Sequence, residues 1–375
     1  MNKIYLDYNA TTPLDTAVLD TMMPYLTTHF GNAMSFHSFG QEAAHALDTA
    51  RTQIAALLNS RPAEVVFTSG GTESNNMAIR GVAYARRAHG NHIITTQIEH
   101  PSIIKVCREL ENEGYQVTFL SVDRFGLIDI EELRAAINAR TILISVMHAN
   151  NEVGTLQPIA PIGELAHKHK IYFHCDAAQS ISKVPIDVAA LHIDLLTVAA
   201  HKFYGPKGIG ALIVREGVAL HPFMLGAGHE GGRRAGTVNV AGAVGLGKAC
   251  EIAHSSGATI IAEVKRLRDC FHAALARELP NILLNGHPTE RLPNTLNLSF
   301  PGCDGQEILI SSGVAASLGA ACHTSSREPS AVLSAMGVSR EDALGAIRFS
   351  FGKMTDENQV LRAASLIVQA ARHNQ

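Results

Sequence analysis

Short apolar runs alternate with longer amphipathic segments through the first two thirds of the chain. Helical spacing of apolar residues is clearest in residues 74–87, 100–113 and 159–169. Several of the short runs are apolar on both faces, which is typical of a mainly parallel sheet covered by helices on both sides. The pattern predicts an α/β fold, doubly wound or close to it. Seven runs have the length and composition of strands: residues 64–68, 92–97, 116–122, 141–148, 171–177, 195–200 and 210–215.

The pattern changes after about residue 240. Residues 241–256 and 259–279 are predicted to form two consecutive helices, and short strands and a last helix at 356–372 follow them. This arrangement is typical of a smaller α+β domain behind a long joining helix. We therefore expect a large domain over residues 15–255 and a small domain made of residues 1–14 and 256–375.

Composition narrows the class of protein. The 375 residues are 46% hydrophobic, which is ample for a large core, and a net charge of −3 with interspersed signs gives no nucleic-acid surface. No apolar run is long enough for a membrane span, and the start carries no signal peptide. The six cysteines lack CxxC pairing and the 19 histidines lack metal-ligand spacing. We expect a cytoplasmic protein with free thiols, no metal and no membrane contact.

The segment EVVFTSGGTESNN joins a predicted strand to a predicted helix. Glycines at such a junction let the backbone approach an anion, and the start of a helix favours phosphate. The residues match neither a Walker A loop nor a GxGxxG fingerprint. An ordinary strand–turn–helix capped by Thr72 is the alternative, and this segment alone leaves both open.

Two further strand ends carry candidate chemistry. Asp176 closes an apolar run, where it could face a ligand or cap a following helix. Lys202 follows the apolar run at 195–200, and burial there would lower its pKa and suit it to Schiff-base chemistry, although a surface lysine is the alternative. An anion-binding turn, an acid and a lysine at one sheet edge are what a carbonyl cofactor with a phosphate and a ring nitrogen requires.

Ten segments together resemble the cysteine desulfurases of the class V aminotransferase superfamily, which are pyridoxal 5′-phosphate (PLP) enzymes. The resemblance runs from about residue 3 to the last helix, in the order and spacing of that family. It implies a PLP-dependent transferase fold of type I, with a seven-stranded sheet in the large domain. The segments are YLDYNATTP, FTSGGTESNN, EHPSI, HANNEVG, HCDAAQS, AAHKFYGPKGIGAL, RRAGTVNV, RLPNTLN, GAACHTSSREPSAVL and IRFSFG.

The resemblance assigns roles around the cofactor ring. Lys202 would hold PLP as a Schiff base, and Asp176 would pair with the pyridine nitrogen. His100 is similar to the histidine that stacks on the ring and relays protons. Gln179 would bind the phenolic oxygen, and Asn151 would lie between that oxygen and the substrate.

The resemblance also assigns the phosphate and substrate contacts. Gly71, Thr72 and His201 match phosphate-binding residues. Thr237 matches a threonine that reaches the phosphate in the neighbouring subunit, which implies a homodimer with shared active sites. Arg348 matches the arginine that binds the substrate carboxylate, for which a guanidinium fork is suited. For His100 and Arg348, a helix-start residue and an interface ion pair are the alternatives.

Cys322 is the expected nucleophile. By resemblance, its thiolate takes the sulfur of L-cysteine as a persulfide, releases L-alanine and hands the sulfur to an acceptor protein of unknown identity. A free thiol is mostly protonated at neutral pH, so a base or cation should assist it. His100 and His323 are the two candidates. An iron–sulfur scaffold, tRNA thiolation, DNA phosphorothioation and selenium recycling all remain open as destinations.

Two departures from the family pattern keep alternatives open. Ala199 stands where many desulfurases have a hydroxyl residue that contacts the phosphate, so one hydrogen bond is expected to be missing or supplied by water. His323 follows Cys322 where many bacterial desulfurases have threonine, and the segments GAACH and HKFYG are closer to selenocysteine lyase. L-Selenocysteine is thus the alternative substrate. A silent scaffold and a transaminase or β-lyase without thiol chemistry are more distant alternatives.

Overall fold

The computed structural model describes residues 3–318 and 328–374 and contains two sheets, helices on both faces of the larger one and a long helix between them. The strands are β1 Val65–Thr68, β2 His92–Thr96, β3 Gln116–Leu120, β4 Thr141–Met147, β5 Tyr172–Asp176, β6 Leu195–Ala199, β7 Gly210–Val214, β8 Leu283–Asn285, β9 Thr295–Ser299, β10 Ser317–Leu318 and β11 Ala346–Ser350. The helices are α1 Thr16–Thr27, α2 Ser38–Leu58, α3 Gly71–Ala85, α4 Pro101–Asn112, α5 Ile130–Ala136, α6 Ile159–Lys168, α7 Val240–Glu278, α8 Gly305–Ser312, α9 Ala331–Ala335, α10 Arg340–Leu344 and α11 Glu357–His373.

The larger sheet has the strand order β1-β7-β6-β5-β4-β2-β3. Strands β6, β5, β4, β2 and β3 pair in parallel, whereas β7 runs antiparallel to both β1 and β6. Parallel neighbours need crossover connections, and α3, α4, α5 and α6 lie between strands along the chain as such connections require. The prediction of an α/β fold with a mainly parallel seven-stranded sheet is confirmed.

The smaller sheet is antiparallel, in the order β10-β11-β9-β8. The start of the chain joins it, because Tyr5 bridges to Ala315 and Asp7 bridges to Ser350. Strand β8, which the apolar pattern did not single out, lies at the edge of this sheet and has only three residues. The N-terminal segment therefore runs along the small sheet before the chain enters α1.

Apolar side chains form separate clusters around the two sheets. Two clusters cover the faces of the large sheet, and a third packs α7, α8 and α11 on the small sheet together with Ile4 and Leu6. Each fully buried side chain such as Phe173 or Phe271 stabilises the fold by about 1.5–3 kcal/mol. The separate clusters support a division of the chain into two domains near residue 255. The exact domain boundaries stay a prediction.

Helix α7 corrects the prediction of two consecutive helices. It continues for 39 residues from Val240 to Glu278 without a break. The Ser255-Ser256-Gly257 step stays helical because both ends of the helix are anchored in apolar clusters. Ser256 Oγ donates a hydrogen bond back to the Ile252 carbonyl oxygen at 2.9 Å, a contact that does not by itself favour the helix. Neither α7 nor another described helix is long and apolar enough to cross a membrane.

Candidate active site

A cavity of about 290 Å³ opens at the carboxyl ends of the parallel strands. Open α/β sheets place ligands at this edge, because the strand ends and the loops after them leave a crevice there. Nine of the residues singled out in the sequence line it, and they come from six separate stretches of chain. They are Gly71, Thr72, His100, Asn151, Asp176, Gln179, His201, Lys202 and Arg348.

Lys202 ends a short 3-10 turn directly after β6. Its Nζ donates to two backbone carbonyl oxygens, at 2.7 Å to Asn9 and at 3.0 Å to Ala10. Burial lowers the pKa of Lys202 to about 8, and the nearby Arg348 adds to that effect while Asp176 opposes it. The amine is therefore far closer to its neutral, nucleophilic form than a surface lysine. The alternative of a surface lysine is wrong.

Asp176 is the last residue of β5 and is buried, with 7% of its surface exposed. Its Oδ2 accepts a hydrogen bond from Asn75 Nδ2 at 2.8 Å, and its Oδ1 accepts one from the Ala178 backbone N–H at 2.9 Å. A turn follows β5 rather than a helix, so Asp176 is not a helix cap. A carboxylate held in this way at the cavity wall can pair with a protonated ring nitrogen.

The start of α3 forms another part of the cavity wall. The helix begins at Gly71, one residue before the expected threonine cap, and Gly70 precedes it at φ 148°, a conformation that other residues rarely adopt. The first N–H groups of a helix have no partner within the helix and favour anions. Ala199 also lines the cavity and brings no hydroxyl to it.

His201 lines the cavity together with the start of α3. Its Nδ1 is 3.1 Å from Thr11 Oγ1, so its second ring nitrogen is left for a ligand. Burial lowers the pKa of His201 to about 4, with Lys202 and Lys207 adding to the shift. The imidazole is therefore neutral at physiological pH and could contact an anion only by hydrogen bonding.

His100 caps the start of α4. Its Nδ1 accepts a hydrogen bond from the Ser102 backbone N–H at 3.1 Å, and Ser102 Oγ lies 2.8 Å from the same nitrogen. Burial lowers the pKa of His100, an effect that Asp176 opposes and Lys202 reinforces. His100 is therefore both a helix-start residue and a cavity residue, so the two alternatives for it are compatible.

Arg348 comes from the centre of β11 and reaches the cavity from the small sheet. One of its terminal nitrogens pairs with Asp7 Oδ1 at 2.7 Å, and the other donates to the Asn151 carbonyl oxygen at 2.8 Å. Each of these nitrogens has a second hydrogen, so the pairing with Asp7 does not exhaust the guanidinium. This ion pair with Asp7 lies within the chain, and it holds the arginine at the site.

Several residues of the site were not predicted from the sequence. Two of them contact the predicted Gln179: its Nε2 donates to the Asn9 carbonyl oxygen at 2.9 Å, and its Oε1 lies 3.3 Å from Lys183 Nζ. Asn75 and Ser102 also line the cavity. Asn9 and Asn75 lie within segments that carry the family resemblance, and that was the one signal pointing to them. Nothing in the pattern around Lys183 indicated that it would contact Gln179.

Two predicted residues are not placed in this cavity. Thr237 is exposed and lines a separate groove, with Phe30 and Met34 on the same wall. Cys322 and its neighbour His323 lie outside the described residues. The other cysteines are free thiols, and no group of residues in the described part of the chain could hold a metal ion.

Comparison with known proteins identifies the family. The aminotransferase class-V family matches residues 4–362. A cysteine desulfurase IscS of Dictyoglomus turgidum is 46% identical over 376 aligned positions, covering 99% of this chain and 95% of that protein. The chain belongs to the cysteine desulfurase family. The resemblance inferred from the ten sequence segments is therefore confirmed.

Solved structures of similar proteins agree with the fold. A NifS-like protein superposes with a TM-score of 0.92 at 35% identity, covering 98% of this chain and 99% of that one. A structure described as SspA in complex with cysteine superposes with a TM-score of 0.85 at 38% identity, covering 94% and 100%. The type I fold expected from the resemblance is confirmed.

Cysteine desulfurases depend on PLP, and the residues of the cavity fit that cofactor. A lysine with a pKa of about 8 suits attachment of an aldehyde, and a buried carboxylate suits a ring nitrogen. The start of α3 suits a phosphate. These three groups line one cavity, as a cofactor with an aldehyde, a ring nitrogen and a phosphate requires.

Proposed function

We propose that the protein is a cysteine desulfurase that converts L-cysteine to L-alanine and transfers the sulfur to Cys322 as a persulfide. The observation that carries the proposal is the meeting of Lys202, Asp176 and the start of α3 in one cavity. Relatives named cysteine desulfurase cover nearly the whole chain, which supports the same reaction here. The chemistry of desulfuration differs from simple transamination in needing the thiol.

Lys202 would hold PLP by its aldehyde, and Asp176 would hold the ring nitrogen in its protonated form. Gly71, Thr72 and His201 would bind the phosphate, and Gln179 the phenolic oxygen. When bound, the cofactor supplies an electron sink for the carbanion left when an amino acid loses its Cα proton.

The remaining steps belong to side chains of this protein. Arg348 binds the carboxylate of the substrate, with Asn151 beside it. Lys202, with its lowered pKa, removes the Cα proton and returns it. The Cys322 thiolate attacks the substrate sulfur, so that an S–S bond forms as the C–S bond breaks. The electron pair of the C–S bond stays on the substrate carbon, which takes up a proton to give alanine.

Selenocysteine is not the favoured substrate. The Dictyoglomus turgidum relative is named a cysteine desulfurase, and one superposed structure is described as a complex with cysteine. The similarity of GAACH and HKFYG to selenocysteine lyase therefore does not decide the substrate. The role of His323 stays a prediction.

The test compares alanine release from L-cysteine and from L-selenocysteine by the wild-type protein and Cys322→Ala. We expect wild-type turnover of cysteine and its loss in Cys322→Ala, with selenocysteine less affected because its selenium leaves more readily. Negligible wild-type turnover of cysteine beside rapid turnover of selenocysteine would overturn the proposal. A colourless protein that gains no visible absorbance on addition of PLP would favour a scaffold role.

The second part of the proposal is a homodimer in which Thr237 of each subunit contacts the phosphate in the other. An apolar patch supports it, formed by Leu26, Phe30, Met34, Phe36 and Phe39. Phe30 and Phe36 expose 73% and 92% of their surfaces. Such an exposed patch on one face is typical of an interaction surface. Leu26, Phe30 and Met34 line the same groove as Thr237, so an interface there would include the threonine.

The third part of the proposal concerns the destination of the sulfur and the cellular compartment of the protein. We propose that the Cys322 persulfide is passed to an acceptor protein in the cytoplasm. The free thiols of the described cysteines support a reducing compartment, since disulfides are the rule in oxidising ones. Iron–sulfur cluster assembly fits the IscS relatives, and the acceptor itself would be identified by capture with the persulfide-bearing protein.

A further inference from the structure

A hydrogen-bond chain joins Asp176 to His100 through two side chains that have no role assigned above. Asn75 Nδ2 lies 2.8 Å from Asp176 Oδ2 and 2.8 Å from Ser102 Oγ. Ser102 Oγ in turn lies 2.8 Å from His100 Nδ1. All four residues line the cavity, and Asn75 is 1% exposed. The hydrogen-bond chain therefore runs inside the wall of the candidate active site.

The orientation of the Asn75 amide is fixed by its neighbours. Its nitrogen has two hydrogens and its oxygen only accepts. With the nitrogen toward Asp176 and Ser102, both hydrogens are used, and the oxygen is buried without a partner among the described residues. The opposite orientation would place an acceptor oxygen 2.8 Å from a carboxylate oxygen and leave the donor nitrogen unpaired, which costs more.

The direction of the chain follows from this orientation. Ser102 Oγ accepts a hydrogen from Asn75, so its own hydrogen is free to point to His100 Nδ1. The Ser102 backbone N–H also points to that nitrogen, at 3.1 Å. A ring nitrogen that accepts from two donors carries no proton. A neutral imidazole must then carry its proton on Nε2.

We propose that Asn75 and Ser102 are positioning residues that hold His100 as the neutral Nε2–H tautomer. The proposal rests on the proposed function for its consequence in catalysis. His100 then offers a hydrogen-bond donor to the electron-rich groups of substrate or cofactor, and it cannot take the thiol proton of Cys322 at Nε2. A neutral imidazole used as a donor is an established catalytic arrangement.

The lowered pKa of His100 agrees with this assignment. Desolvation by the cavity wall disfavours the doubly protonated ring, although part of the residue is exposed, and Lys202 acts in the same direction while Asp176 opposes both. Protonation of Nδ1 would also set its N–H against the backbone N–H of Ser102, which donates to Nδ1, and so break the cap at the start of α4. The geometry thus gives each member of the chain one defined donor or acceptor role.

The test measures the tautomer of His100 directly. The holoenzyme is prepared with ¹⁵N in its histidine rings, and long-range ¹H–¹⁵N correlations are recorded without substrate, with His100→Gln identifying the His100 signals. We expect an unprotonated Nδ1 and a protonated Nε2 in the wild type. Asn75→Ala and Ser102→Ala should shift His100 toward a mixture of tautomers, while Ser102→Thr, which keeps the hydroxyl, should restore the wild-type pattern.

Two results would overturn the proposal. One is a wild-type His100 with its proton on Nδ1 or on both nitrogens at neutral pH. The other is an unchanged tautomer in both alanine variants, which would show that the backbone N–H of Ser102 suffices. Visible absorbance of bound PLP checks that each variant is folded and loaded, and Ser102→Ala decides if Asn75→Ala fails that check. Because no turnover is measured, failure of the cysteine chemistry leaves the result readable.

Discussion

At the scale of single residues, burial sets the chemistry of Lys202. A lysine in water has a pKa near 10.4 and is almost wholly protonated at neutral pH. In the cavity the pKa falls to about 8, since desolvation and Arg348 both disfavour the ammonium form. The same amine that attaches an aldehyde can thus also move a proton near physiological pH.

This difference predicts the pH dependence of cofactor uptake. The neutral amine attacks the aldehyde, so the rate at which cofactor-free protein takes up PLP should rise with pH and level off above about pH 8. Lys207→Ala, which changes an exposed lysine in the same loop, should preserve this profile. Lys202→Ala should give no covalent uptake and at least about a 100-fold loss of cysteine turnover. A rate that keeps rising to about pH 10 would contradict a pKa of Lys202 that is lowered by burial.

At the scale of elements, α7 connects the two parts of the molecule as one rigid helix. Gly257 lies in its middle, and an added Cβ would have the Ser182 carbonyl oxygen as its nearest neighbour, at an ordinary 3.7 Å. Alanine should therefore fit at this position. Proline should not, because it removes a backbone donor and clashes with the preceding turn.

The matched pair Gly257→Ala and Gly257→Pro tests the continuity of α7. Alanine should raise the free energy of unfolding by about 0.5–1 kcal/mol, and proline should lower it by about 2 kcal/mol relative to the wild-type glycine. Denaturant unfolding of the PLP-saturated protein measures both. If proline were tolerated as well as alanine, the two consecutive helices predicted from the sequence would be the better description.

Strands β1 to β7 were predicted from the sequence, whereas the continuous helix α7 was not. Strands β1 to β7 were found because each is a short apolar run with helical segments between them. Two consecutive helices were predicted where α7 is continuous, because the weak helix propensity of Ser255, Ser256 and Gly257 is overridden by packing at both ends of the helix. Propensity is local, whereas the clusters that hold α7 involve residues far away in the chain.

The residues of the candidate site also divide into those predicted from the sequence and those that were missed. Lys202 and Asp176 were found because each ends an apolar strand, and their shared edge follows from the topology. The roles of Gln179 and Arg348 came only from the family resemblance. Asn75, Ser102 and Lys183 were missed because their importance lies in hydrogen bonds between elements, which no spacing along the chain reveals.

At the scale of the whole molecule, the apolar patch and Thr237 predict that the active sites are complete only in a dimer. The double variant Phe30→Glu/Phe36→Glu should dissociate the dimer, because charged groups are poorly tolerated in a buried interface. It should also weaken PLP binding, since Thr237 of the partner is lost. Analytical ultracentrifugation gives the mass, and equilibrium titration gives the PLP affinity.

The control for the dimer is Ile310→Glu, which alters an exposed apolar residue on α8, outside the patch. It should leave both the mass and the affinity unchanged. A wild-type protein that sediments as a monomer and binds PLP as tightly as the double variant would contradict the shared site.

We expect cysteine sulfur to reach Cys322 in a reaction that depends on Lys202. Mass spectrometry of the peptide carrying Cys322, after incubation of the holoenzyme with L-cysteine, tests this, with alanine counted in the same sample. We predict one added sulfur atom on that peptide and one alanine for each persulfide formed in the first turnover. Lys202→Ala should show neither product. Alanine formed in the wild type while the Cys322 peptide stays unmodified, or while the sulfur is found on another cysteine, would contradict it.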